Sequence, residues 1–127
     1  MSNSFEALSR ELAEAVERVS PAVVAVDARP RVRTSGVIWR AGVVVSTNHT
    51  VRRDEDITVT LHDGRELKAT LAGRDPFTDL AVLRYGGGES PDESAAAARG
   101  DAASLKVGHL VLAVGRAHPA RGVSAGL

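Results

Sequence analysis

Val43-Val44-Val45-Ser46-Thr47-Asn48-His49-Thr50-Val51 is the stretch that decides the fold. Its valines read as a buried β-strand, because β-branched side chains pack well on a pleated surface. Ser46, Thr47 and Asn48 end the run with residues that favour turns and caps. His49 follows at once, and a histidine at the end of a rigid strand can be aimed as a general base must be. Further along, Gly73-Arg74-Asp75-Pro76-Phe77-Thr78-Asp79 reads as a turn into the apolar run Leu80 to Leu83. A carboxylate at Asp79 can receive the other ring nitrogen of a histidine and set its tautomer. His49 and Asp79 are therefore the candidate pair, provided that the chain brings them face to face.

Outward from that stretch, short strands repeat. Ser35–Arg40 and Val43–Ser46 flank the tight connection Ala41-Gly42 and read as a hairpin. Ala22–Ala28 is a strand before them. The basic segment Arg29-Pro30-Arg31-Val32-Arg33 between reads as a solvated loop, and Trp39 is expected to cover an edge of the core. Ile57–Leu61 and Glu66–Ala72 are joined by His62-Asp63-Gly64-Arg65, where Asp-Gly supplies the positive φ of a hairpin turn. Asp79–Tyr85 completes six short strands. The class is all-β, an antiparallel barrel or sandwich, and periodicity does not choose between the two.

The flanks differ in character. Asn3–Val19 is predicted as a helix, with Asn3 as cap and Glu6 at capping-box spacing. Phe5, Leu8, Leu12, Ala15, Val16 and Val19 recur at helical period, which predicts one apolar stripe packed on the rest of the fold. Ser20-Pro21 stops the helix. Residues 86–99 are rich in Gly, Ala, Ser and acidic residues and predict a flexible loop that buries little. A strand is expected at His109–Val114, then a turn at His118–Gly122, and Val123–Leu127 begins a further element.

The 127 residues suit one domain. Formal net charge is zero, so nothing steers the chain toward nucleic acid or an anionic membrane, and neither is expected as a partner. There is no cysteine, which excludes disulfides, thiolate nucleophiles and cysteine–metal sites. His49, His62, His109 and His118 stand at spacings that match no ligand pattern, so no metal or cofactor is expected. The N-terminus lacks the apolar core of a signal peptide, and no run approaches the roughly 18 apolar residues of a membrane span. A cytoplasmic location is the expectation.

Six ordered blocks resemble the trypsin-like serine peptidases of the HtrA/DegP type. They are S-P-A-V-V at 20–24, S-G-V-I at 35–38, V-V-V-S-T-N-H-T-V at 43–51, I-T-V-T-L-H-D-G-R-E-L-K-A at 57–69, G-R-D-P-F-T-D-L-A-V-L at 73–83 and G-D-A-A-S-L-K-V-G-H-L-V-L-A-V-G at 100–115. The resemblance implies a trypsin-like six-stranded antiparallel barrel over residues 20–85, the N-terminal helix over 1–19, the loop over 86–99, and the start of a second barrel over 100–127. It matches His49 to the triad histidine and Asp79, not Asp75, to the triad aspartate. It also implies hydrolysis of unfolded polypeptides, homo-oligomers that are often trimers, and relatives that are often periplasmic. Two departures stand out. Thr50 replaces the family's usual valine, and no G-x-S-G-G segment carrying a nucleophilic serine occurs in these residues. On this reading the chain is a truncated serine endopeptidase, inactive alone. A catalytically silent β-barrel binding module is the alternative.

Overall fold

The computed structural model describes residues 3–86, 95–116, 118 and 122–127. Parts of the expected loop at 86–99 and of the expected turn at 118–122 lie outside the described residues. The chain forms helix α1 (Asn3–Val19), then strands β1 (Val23–Asp27), β2 (Arg33–Arg40), β3 (Val43–Thr47), β4 (Ile57–Thr60), β5 (Glu66–Asp75) and β6 (Leu80–Tyr85). Two short strands follow, β7 (Ala113–Gly115) and β8 (Ser124–Gly126).

The first six strands close into one antiparallel barrel in the order β1-β2-β3-β6-β5-β4. Closure settles the barrel-or-sandwich alternative and removes the exposed edges that an open sheet would present. Alternation along the strands sends one set of side chains inward. Val24, Val26, Ile38, Val44, Ile57, Val59 and Leu83 are wholly buried there. Gly36 is a matter of space: a Cβ at that position would stand 2.6 Å from Val44 Cγ1 and 3.0 Å from Val26 Cγ2. Gly42 and Gly64, in the two hairpin turns, take φ of 78° and 88°. These are left-handed values that glycine adopts without steric cost.

Several expectations need correction. β5 runs on through Asp75, where the sequence predicted a turn from Gly73. It survives the Gly-Arg-Asp stretch because a β-bulge absorbs an extra residue between Leu71 and Gly73. The apolar run at His109–Val114 is a strand only from Ala113, because among the described residues its one ladder partner is β8. Leu110 and Val111 remain more than half exposed. α1 spans the expected residues but buries none of them, and Phe5 is 80% exposed. Only Leu12, Ala15, Val16 and Val19 of the stripe, in the C-terminal half of the helix, are half-buried. Trp39 is 44% exposed and carries the Arg99 guanidinium 4.2 Å from its ring centroid. Ala95 is buried with the barrel core, and the Ala97 N–H donates to the Ile38 carbonyl at 2.9 Å. That part of the alanine-rich segment therefore packs on the barrel.

Candidate active site

β3 ends at Thr47, and the chain turns through a single 3₁₀ turn, Asn48–Thr50. The turn is stapled from within. The Thr50 hydroxyl lies 3.0 Å from the Thr47 carbonyl and 2.7 Å from the Thr47 hydroxyl. Thr50, where the resembling family has valine, thus supplies the polar atom that closes the turn. Arg52 Nε donates to the His49 carbonyl at 3.1 Å from the other side.

The chain enters β6 through a turn organised by Asp75. Its Oδ1 accepts the Phe77 N–H and its Oδ2 accepts the Thr78 hydroxyl, both at 3.0 Å. Asp75 is thereby committed to the turn. Asp79, next in line, has φ of 59°, a left-handed conformation that aspartate tolerates better than most side chains. Its carbonyl accepts the Asn48 N–H at 2.9 Å, continuing the β3–β6 pairing of Thr47 with Leu80. The ladder therefore sets the two chain ends side by side.

Both oxygens of Asp79 reach His49. Oδ1 accepts the His49 backbone N–H at 2.9 Å, and Oδ2 lies 2.5 Å from the ring Nδ1. These bonds, the ring contact first, hold the Asp79 carboxyl below its ordinary value. An ionised carboxylate only accepts, so the proton between them belongs to Nδ1. In the neutral ring Nε2 is then left with its lone pair, free to take a proton. The His49 and Asp79 side chains are 66% and 44% exposed, so this is an open shelf and not yet a dry site.

Beside the shelf lies an open cleft of about 590 Å³, lined by Val37, Val45, Thr47, Leu80, Leu112 and Val114 among others. Its walls come from the barrel, from Ala15 and Val19 of α1, and from β7 with the residue before it. The other histidines stand apart. His62 is in the β4–β5 turn, and His109 Nδ1 accepts the Lys106 N–H at 3.0 Å. Among the described residues no three His, Asp or Glu side chains are grouped so as to hold a metal ion.

Residues 34–126 match the family described as "Trypsin-like peptidase domain". The chain belongs to this family. Among curated relatives, a protein of Halomonas elongata named "Probable periplasmic serine endoprotease DegP-like" is 40% identical over 79 residues, which are 62% of this chain and 16% of that protein. A protein of the same name from Brucella suis is 45% identical over 89 residues, 68% of this chain and 17% of that protein. The "serine endoprotease from Yersinia pestis" superposes with a TM-score of 0.55 at 38% identity, over 62% of this chain and 30% of that one. The chain thus spans about one-sixth of the length of these curated relatives. Their names say periplasmic, and the cytoplasmic expectation finds no support in them. Among the described residues no helix is long and apolar enough to cross a membrane.

Sequence reasoning brought forward His49 and Asp79, and the barrel places them together. It missed Arg74, which hydrogen-bonds the His49 turn, and Arg116, which ties β7 to the barrel. Arg116 is 5% exposed and donates to the Val23 and Ser20 carbonyls at 2.8 and 3.1 Å and to the Ser20 hydroxyl at 2.9 Å. Neither arginine has a local sequence signal, because each is defined by carbonyls that only the fold brings near.

Proposed function

We propose that this chain supplies the general-base half of a serine endopeptidase site that hydrolyses polypeptides. His49 takes the proton of a serine hydroxyl on Nε2 and returns it to the leaving amine. Asp79 holds the Nδ1 proton and stabilises the imidazolium as it forms. The observation that carries the reading is the convergence of both Asp79 oxygens on one histidine at the end of a closed barrel. A silent binding module gives no reason for that convergence.

Residues 1–127 contain no G-x-S-G-G segment, so the nucleophile and oxyanion donors are assigned to groups these residues do not provide. Each missing donor withholds roughly 2.7–4 kcal/mol of transition-state stabilisation. On this reading residues 100–127 begin a second barrel whose remainder closes and dries the shelf. The exposed Phe5 and Leu8 of α1 offer a surface for the homo-oligomers that the HtrA/DegP resemblance implies.

A fluorophosphonate probe tests the split site. The 127-residue chain alone is expected to stay unlabelled, and stoichiometric labelling lost in His49→Ala would place a nucleophile within it. Joined to a trypsin-like second half carrying G-x-S-G-G, the chain is expected to label, and His49→Ala to abolish the reaction. Labelling of that fusion that survives His49→Ala sinks the general-base assignment.

A further inference from the structure

β5 contains one residue too many for its partner. Ala69 stands opposite Tyr85 and Leu71 opposite Leu83, but Gly73 then stands opposite Val82 and Arg74 opposite Ala81. Ala72 is the extra residue. Paired residues share a face, and Tyr85, Leu83 and Ala81 are the buried, inward residues of β6. In an unbroken ladder Gly73 would stand opposite Ala81, and Arg74 would be turned to the outer face. The bulge exchanges them. Re-aiming a side chain is a recurrent use of bulges beside functional sites.

Delivered to the inward face at the end of the barrel, the Arg74 guanidinium meets the histidine turn. Its Nη1 donates to Asn48 Oδ1 at 2.9 Å and to the Val51 carbonyl at 3.1 Å. Its Nη2 donates to Asp54 Oδ1 at 3.2 Å. Asn48 is the residue before His49, and Val51 is the second residue after it. A single guanidinium nitrogen, Nη1, therefore bridges both sides of the residue that carries the imidazole, while Nη2 turns away to Asp54.

We propose that Arg74 is a positioning residue for His49: the β5 bulge aims it at the Asn48–Val51 turn, and its bonds there hold the ring against Asp79. The inference rests on the general-base reading above. No contact joins Arg74 to the ring or to Asp79, so its action is through the turn. The neutral acceptors carry it. Asp54 is 84% exposed, and an ion pair so exposed contributes little.

The readout is the His49 Nδ1-bound proton, followed by NMR in the 127-residue chain through its exchange with water. Arg74→Ala is expected to speed that exchange about tenfold, the scale of one lost charge-assisted hydrogen bond, while amides of Val24, Ile57 and Leu83 keep their shifts. Arg74→Lys should fall between. Asn48→Ala should reproduce part of the effect, and the double variant should be no worse than Arg74→Ala, as partners in one bond require. Asp54→Asn should leave the exchange unchanged. An unaltered rate in Arg74→Ala, or an Asp54→Asn effect as large, overturns the proposal. Where Arg74→Ala does not fold, an unaltered rate in Asn48→Ala overturns it instead. A proton whose exchange is indifferent to Asp79→Asn would refute the dyad itself, a different failure.

Discussion

Val43–Thr47 and His109–Val114 are similar as text, two apolar β-branched or aliphatic runs, yet they end in different states. The first lies between β2 and β6, is hydrogen-bonded on both sides, and buries Val44 completely. The second shortens to Ala113–Gly115, pairs on one side with β8, and leaves Leu110 and Val111 in solvent. Apolar pattern proposes a strand, and a partner on each side makes one. The barrel provides β3 with β2 through a local hairpin and with β6 through closure, whereas β7 has β8 on one side and is otherwise held to the barrel by hydrogen bonds that involve side chains. Arg116 makes the chief of these, with the Ser35 hydroxyl oxygen accepting the Arg116 N–H at 2.7 Å.

Truncating one leucine in each region should separate them most sharply. Leu83→Ala opens a cavity in the closed barrel and is expected to cost about 2–5 kcal/mol in urea unfolding. Leu110→Ala is expected to stay within about 0.5 kcal/mol of the parent. Equal losses would mean that the C-terminal segment is as well packed as the barrel. Gly36→Ala comes next. Its new methyl would press on Val44 and Val26, and the expected cost is about 1–3 kcal/mol. A neutral result would show that β2 and β3 part more readily than their packing suggests.

Arg116→Met asks whether β7 depends on its latch. A buried guanidinium without a carboxylate partner among the described residues is costly to desolvate, which is why burial lowers its proton affinity. It persists because three acceptors receive it. Removing it should cost on the order of 1 kcal/mol and release amide protection in residues 113–115 and 124–126, with the barrel amides unchanged. Loss of protection across β1 and β2 as well would make the latch part of the barrel's own stability.

How much of this was legible beforehand follows from the same contrast. The six strands could be read because each carries its own alternation and its own turn chemistry, as at Asp63-Gly64. His49 and Asp79 could be named because strand ends and turn residues are local. The end of β5 could not, since Gly73, Asp75 and Pro76 all spell a turn and a bulge leaves no mark in composition. Ala95 looked like part of a mobile, low-complexity run, yet its small side chain is what allows it to be buried with the barrel core. Arg74 and Arg116 were invisible for a common reason: a guanidinium's role lies in carbonyls far away in sequence.

The smallest expected effect is on pH dependence at the shelf. Asp79 is held below its ordinary value of 3.8 by the two His49 bonds. A carboxyl lowered on folding adds stability that is fully present above the unfolded value and is lost as pH falls through the folded one. Asp79→Asn removes that contribution. Its melting temperature should therefore lie below the parent's at neutral pH, and the gap should close as pH falls below about 3.8. Asp63 is lowered too, chiefly by the Arg65 backbone N–H, and it loosens in the same range. Both chains keep Asp63, so the difference between them reads Asp79. The effect is small because the carboxyl is exposed to water, which screens it. A gap that stays constant from neutral pH to well below 3.8 would mean that the Asp79–His49 bonds add nothing to folding. The barrel would then hold the dyad in place without help from the dyad itself, making the shelf a passenger on the fold.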